Sequence, residues 1–128
     1  MLDLVRLSPR RLFPPGGEDL YRQIARLTNL SPETEFLDVA CGKGIALEFF
    51  AREYGVHGTG VEEDPQLVAD AEAYFRVFGI GLDASFQGAS ASDLPFRDQT
   101  FDVVMGEVGL AATADPAEAI RELVRVAR

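Results

Sequence analysis

The chain has 128 residues, 47% of them hydrophobic and 26% charged, and its 21 acids against 12 bases give a formal net charge of −9. Such a composition excludes a disordered tail and describes one globular domain, able to bury about 65% of its potential surface on folding. A single cysteine, Cys41, and a single histidine, His57, exclude an internal disulfide framework and argue against a Cys/His zinc site or a histidine triad, so no metal is expected.

No apolar run reaches the about 18 residues that a membrane span needs, and Asp3, Arg6, Arg10 and Arg11 interrupt any signal-peptide core. A cytoplasmic location is the resulting expectation. Residues 1 to 30 hold three acids and five bases, whereas the other 98 residues hold 18 acids and 7 bases. An acidic body repels phosphate backbones, which disfavours nucleic acid as a partner.

In chain order, Leu20, Ile24 and Leu27 recur at helical spacing and stop at the turn cluster Thr28-Asn29-Leu30-Ser31-Pro32. This divides the chain into an amino-terminal helical arm, residues 1–30, and a main domain, residues 31–128. Within the arm, Phe13-Pro14-Pro15-Gly16-Gly17 reads either as part of a lid or as an ordinary connection. Phe36 to Ala40 is the first expected strand. After Gly42-Lys43-Gly44, the pairs Ile45/Phe49 and Ala46/Phe50 form an apolar helix face, with Gly55 placed to cap its end. His57 to Val61 is the second strand. Asp64-Pro65 is an N-cap followed by proline at the first helical position, and Leu67, Ala71, Phe75 and Phe78 continue the helix to Gly79. Ala84 to Gln87 and Phe101 to Met105 are the third and fourth strands. Asp115-Pro116 repeats the capping signal before a last helix whose expected face is Ile120, Leu123, Val124 and Ala127.

Strands and helices therefore alternate, the sequence form of an α/β fold: a doubly wound, Rossmann-like parallel sheet of about four strands in the order 3-2-1-4, with helices on both faces. Ligands in such sheets sit beyond the carboxyl ends of the strands. There the first strand ends in Asp38-Val39-Ala40-Cys41-Gly42-Lys43-Gly44, a glycine turn that lets backbone approach a bound molecule. Glu62 follows the second strand directly, 18 residues beyond Gly44, where a carboxylate can accept both hydroxyls of an adenosine ribose. Gly88 to Asp93, including Ser90 and Ala91, follows the third strand and can border an adenine. On residues alone, a solvated acidic turn at Glu62, Glu63 and Asp64 and a purely structural glycine turn remain open readings. His57, at the far end of its strand, reads as structural, Cys41 as a packing residue and Asp102 as shaping the sheet.

Taken together, these segments resemble the class I S-adenosylmethionine-dependent methyltransferases, in the small-molecule branch that includes quinone-biosynthesis and sterol methyltransferases. The resemblance covers Glu35 to Arg128. Phe36 through Gly44 is similar to the family's first motif and Thr59-Gly60-Val61-Glu62 to its second. Leu94-Pro95-Phe96, leading to Phe101-Asp102-Val103-Val104, is similar to a third. The resemblance implies S-adenosyl-L-methionine as cofactor, with Asp38, Ala40, Cys41, Gly42 and Gly44 around its methionine end. It further implies Glu62 on the ribose, and Glu63, Ser90 and Ala91 near the adenine. Ser90 stands where the family often has an acid, with Asp93 as a substitute. A branched side chain at Gly44 is expected to occupy space the ligand needs.

The implied function is methyl transfer to a small-molecule acceptor that the sequence does not name, with Glu107 as the candidate general base. A noncatalytic cofactor-binding subunit is the alternative. An NAD-binding domain is disfavoured because Leu47 replaces the third fingerprint glycine and Asp38 would repel a pyrophosphate. Against the seven-stranded family sheet the chain reads as a truncated member, so the fourth strand is expected to be a bare apolar edge open to a second copy or a partner chain.

Overall fold

The computed structural model describes residues 17–106 and 114–128. In order, the elements are α1 (Gly17–Thr28), β1 (Glu35–Val39), α2 (Ile45–Tyr54), β2 (His57–Glu62), α3 (Pro65–Phe78), β3 (Ala84–Gly88), β4 (Val103–Gly106) and α4 (Pro116–Val126). The four strands form one parallel sheet in the order β3-β2-β1-β4, as the alternation predicts. Three helix termini follow their sequence signals. Asp64 Oδ1 accepts from the Gln66 amide, Asp115 Oδ1 accepts from the Glu118 amide, and Gly55 closes α2 at φ 72° with its N–H on the Ala51 carbonyl.

Strand alternation sorts the core into two faces. Phe36 packs with Tyr21, Ala25, Ala46, Leu47, Phe49, Phe50 and Val56 on one side. Leu37, Val39 and Val61 pack with Ala91, Leu94, Phe101, Ala119 and Val126 on the other. Close approach of α2 to the sheet depends on β2, because an added Cβ at Gly58 would stand 2.7 Å from Leu47. Leu47 is fully buried in that contact. A helix that packs on a strand glycine in this way has no need of a glycine of its own at that position.

Two amphipathic helices are rotated from their expected faces. On α1 the buried residues are Tyr21 and Ala25, with Ile24 packed against the same cluster as expected, while Leu20 and Leu27 are exposed. The rings decide this: Tyr21 lies 5.4 Å from Phe49 and 5.3 Å from Phe50 between centroids, a contact larger than leucine at position 20 or 27 offers. On α4 the buried residues are Ala119 and Val126, with Leu123 packed against their cluster as expected, while Ile120 and Val124 are exposed.

The fourth strand starts two residues later than its apolar run. Phe101 forms a parallel bridge with Ala127, taking an N–H bond to Val126 and receiving one from Arg128. Asp102 remains exposed beside β1, exchanging bonds with both backbone groups of Glu35 and accepting from Arg128 Nη1 at 2.6 Å. Residues 99–101, which lead into β4, are thus covered by residues 125–128.

Candidate functional site

The loop that leads from the carboxyl end of β1 into α2 holds three left-handed residues in five: Ala40 (φ 60°), Gly42 (φ 58°) and Gly44 (φ 79°). Glycine adopts this region without penalty, but Ala40 does so at a cost of roughly 1–2 kcal/mol, so the surrounding bonds must hold the loop. They do. Cys41 donates its N–H to the Val61 carbonyl, Gly44 donates to the Cys41 carbonyl, and Glu48 in the first turn of α2 donates to the Gly44 carbonyl.

Glu62 completes the bracing. Its Oε1 accepts the Gly42 N–H at 3.0 Å and its Oε2 accepts the Asp64 N–H at 2.8 Å. One half-buried carboxylate therefore fixes the glycine loop and the start of α3 together. A carboxylate has about four lone-pair sites, so two remain for a ligand's hydroxyls. In front of Gly42 an added Cβ would meet nothing within 4 Å. This open backbone cradle, beside a carboxylate already aimed at it, fits an adenosyl group carrying a ribose diol. Asp38 is fully buried at the end of β1 and shares the face of Phe36.

Gly44 behaves differently from the expectation. A Cβ there would point inward, 2.8 Å from the Phe86 ring and 3.2 Å from Phe75. Its glycine is required by packing and by φ, and the space it leaves belongs to aromatic side chains. Cys41 is buried, with Sγ against Gly60, as a packing residue should be.

Beyond β3 the Ala89 N–H reaches the Glu62 carbonyl, which brings Ser90 to the same end of the sheet. The Ser90 hydroxyl lies 2.9 Å from that of Ser92 and accepts the Ser92 N–H. Ala91 is buried in the second core cluster, so its side chain supports the turn from behind. Glu63 is exposed beside Glu62. Glu107, and the Phe13 to Gly16 part of the segment read as a lid or connection, lie outside the described residues. His57 is at the amino end of β2, bonded through Nδ1 to Asp83, which holds the imidazole above its usual pKa and places it away from the site.

The segment from Leu94 to Asp98 is clamped by α4, a feature invisible in the sequence. Arg125 donates to the carbonyls of Phe96 (2.8 Å) and Leu94 (3.0 Å) and to the Asp98 carboxylate (2.9 Å). Glu122 accepts the Leu94 N–H at 2.8 Å and also binds Arg125, and that bond keeps its carboxyl below the ordinary range. Only the Glu122/Arg125 spacing, three apart on a helix, could have hinted at it.

A doubly wound parallel sheet with a glycine cradle and an acid at the switch region defines the nucleoside-binding class of α/β proteins. The family model described as methyltransferase domain matches residues 36–128. The chain belongs to that family, the class I S-adenosylmethionine-dependent methyltransferases. Norajmaline N-methyltransferase of Rauvolfia serpentina is 33% identical over 91 residues, covering 71% of this chain and 31% of that protein. Tocopherol O-methyltransferase, chloroplastic, of Arabidopsis thaliana is 34% identical over 91 residues, covering 71% of this chain and 26% of that protein. The crystal structure of a SAM-dependent methyltransferase from Geobacter sulfurreducens in complex with S-adenosyl-L-homocysteine superposes with a TM-score of 0.77 at 24% identity. It covers 99% of this chain and 51% of that one, a likeness of fold. The chain thus spans about half the length of that structure and less of the two curated relatives.

Proposed function

We propose that the chain binds S-adenosyl-L-methionine at the carboxyl ends of β1 and β2 and supports methyl transfer to a small-molecule acceptor. The observation that carries this reading is the Glu62 carboxylate bonded to the Gly42 amide across the open face of the glycine loop. Glu62 accepts the ribose hydroxyls, the backbone of residues 40–43 lies along the methionine moiety, and buried Asp38 supplies negative potential to the cationic end. Glu63 and Ser90 border the adenine. The cofactor brings an already activated sulfonium methyl group, so the protein's task is to orient the acceptor in line and exclude water. Glu107 is the candidate base for an acceptor that is protonated at working pH. Relatives named as N- and O-methyltransferases support a small-molecule acceptor without choosing its class.

Calorimetric titration with S-adenosylmethionine and its demethylated product tests the reading. Glu62→Ala is expected to lose about 1–3 kcal/mol of binding. Unchanged affinity in this variant, or preference for NAD, overturns it. Turnover against a panel of phenols, amines and activated carbons then separates an enzyme from a noncatalytic cofactor-binding subunit.

A further inference from the structure

The sheet order leaves β3 at an edge, and no strand among the described residues pairs with its outer side. Gly58 donates its N–H to the Asp83 carbonyl and Ala89 donates to the Glu62 carbonyl, so residues 83, 85, 87 and 89 address β2. Alternation turns the N–H and C=O groups of Ala84, Phe86 and Gly88 outward. Protein edges are normally guarded by lysine, proline, a bulge or an inward charge. The run Ala84-Ser85-Phe86-Gln87-Gly88 has no such residue and pairs with β2 in unbroken register.

Beside this edge, two adjoining grooves run between α3 and β3, and Glu72 and Arg76 line both. Both residues are exposed, and neither has an ion-pair partner among the described residues. Phe75 meets Phe86 with ring centroids 4.7 Å apart, which sets the last turn of α3 level with the middle of β3. Positions 72 and 76 therefore straddle that level.

From this we infer that the β3 edge joins a second copy of the chain, antiparallel and centred on Phe86. In that register Phe86 faces its own counterpart, and Ala84 of each copy faces Gly88 of the other, so all the outward backbone groups exchange hydrogen bonds. The same dyad sets Glu72 of each copy opposite Arg76 of the other. Ala69 and Ala73, which line the groove, are small enough to let two α3 helices approach to the about 8–10 Å of ordinary helix packing. Charge selects the occupant. Most surfaces of a chain with net charge −9 repel another copy, but this patch carries one acid and one base in an order that becomes complementary under two-fold symmetry. An unrelated extended peptide would satisfy the backbone groups and leave both side chains unused.

Sedimentation velocity of the 128-residue chain at low ionic strength, over a micromolar to millimolar series, is the test. The wild type is expected to dimerise with rising concentration. Arg76→Glu sets like charges opposite each other and should weaken association about tenfold, while the swap Glu72→Arg/Arg76→Glu keeps the pair complementary and should restore it. Ala84→Pro removes one outward N–H at the first strand residue, where proline is tolerated, and should also weaken association with the circular dichroism spectrum unchanged. A monomer throughout, a dimer indifferent to Arg76→Glu and Ala84→Pro, or a swap that fails to restore association overturns the inference.

Discussion

Two glycines in one loop do different work, and their substitution should separate binding from folding. Gly42 faces open space and Gly44 faces the Phe86 ring, although both hold positive φ. Gly42→Ala is expected to cost about 1–2 kcal/mol of stability from backbone strain alone and to weaken cofactor binding, since its new methyl group enters the cradle. Gly44→Ala adds overpacking of about 1–3 kcal/mol to the same strain. Urea denaturation should therefore rank Gly44→Ala as the more destabilised, and Phe86→Leu in that background should recover part of the loss through direct coupling. Equal losses in the two variants would contradict the assignment. The sequence showed the glycines and the acid at Glu62 but could not show which way each missing side chain points. That depends on the rings of Phe75 and Phe86, 31 and 42 positions beyond Gly44. Likewise the bond from Gly42 to Glu62 exists only because β1 and β2 pair in parallel with Val39 opposite Val61.

Among the elements, those with strong local signals were legible and those with weak ones were displaced. Capping residues fixed the starts of α3 and α4 because an aspartate bonds to amides within its own helix, an interaction encoded within three residues. The buried faces of α1 and α4 were legible only in part, at Ile24 and Leu123, since leucine and isoleucine periodicity competes with whichever side finds the larger partner. The start of β4 slipped because Phe101 and Asp102 take long-range partners at Ala127 and Glu35. The clamp on the segment 94–98 gives an element-scale prediction. Arg125→Ala removes donors to two carbonyls and one carboxylate and leaves Glu122 without its cation. Amide exchange should accelerate at residues 94–98 and in the last turn of α4, with little change in β1 or β2. Arg125→Lys should not restore protection, because a single ammonium cannot span the Leu94 and Phe96 carbonyls and Glu122 as the planar guanidinium does. Protection unchanged in Arg125→Ala would show that Leu94 and Val126 packing alone holds the segment.

At the scale of the molecule, fold class and strand order followed from the alternation of elements and right-handed crossovers, which leave one economical sheet. What the chain's charges do to its stability is a property of the assembled fold, and it gives a pH profile with two differently caused limbs. Asp102 is held below the ordinary carboxylate range by the Glu35 amide and then by Arg128, and Glu122 by Arg125 and then by the Leu94 amide. A depressed carboxyl contributes stability that is full above its unfolded pKa of about 4 and is lost as pH falls through the folded value. His57 is shifted the other way, raised from 6.5 chiefly by its bond to Asp83. Between the unfolded and folded values the native state holds the extra proton, so this contribution is full below about 6.5 and fades as pH rises through the raised value. Melting temperature should therefore peak between the two limbs, on the acid side of neutrality. Net charge reinforces the fall at higher pH, because a chain at −9 repels itself, but that component is screened by salt and the His57 component depends on one pair of residues. His57→Gln should flatten the alkaline limb at fixed ionic strength and leave the acid limb in place. Asp102→Asn should do the converse, lowering stability near neutral pH and reducing its loss on acidification. If thermal melts show that His57→Gln keeps the full alkaline decline while salt abolishes it, self-repulsion alone accounts for that limb and the His57–Asp83 pair contributes nothing to it.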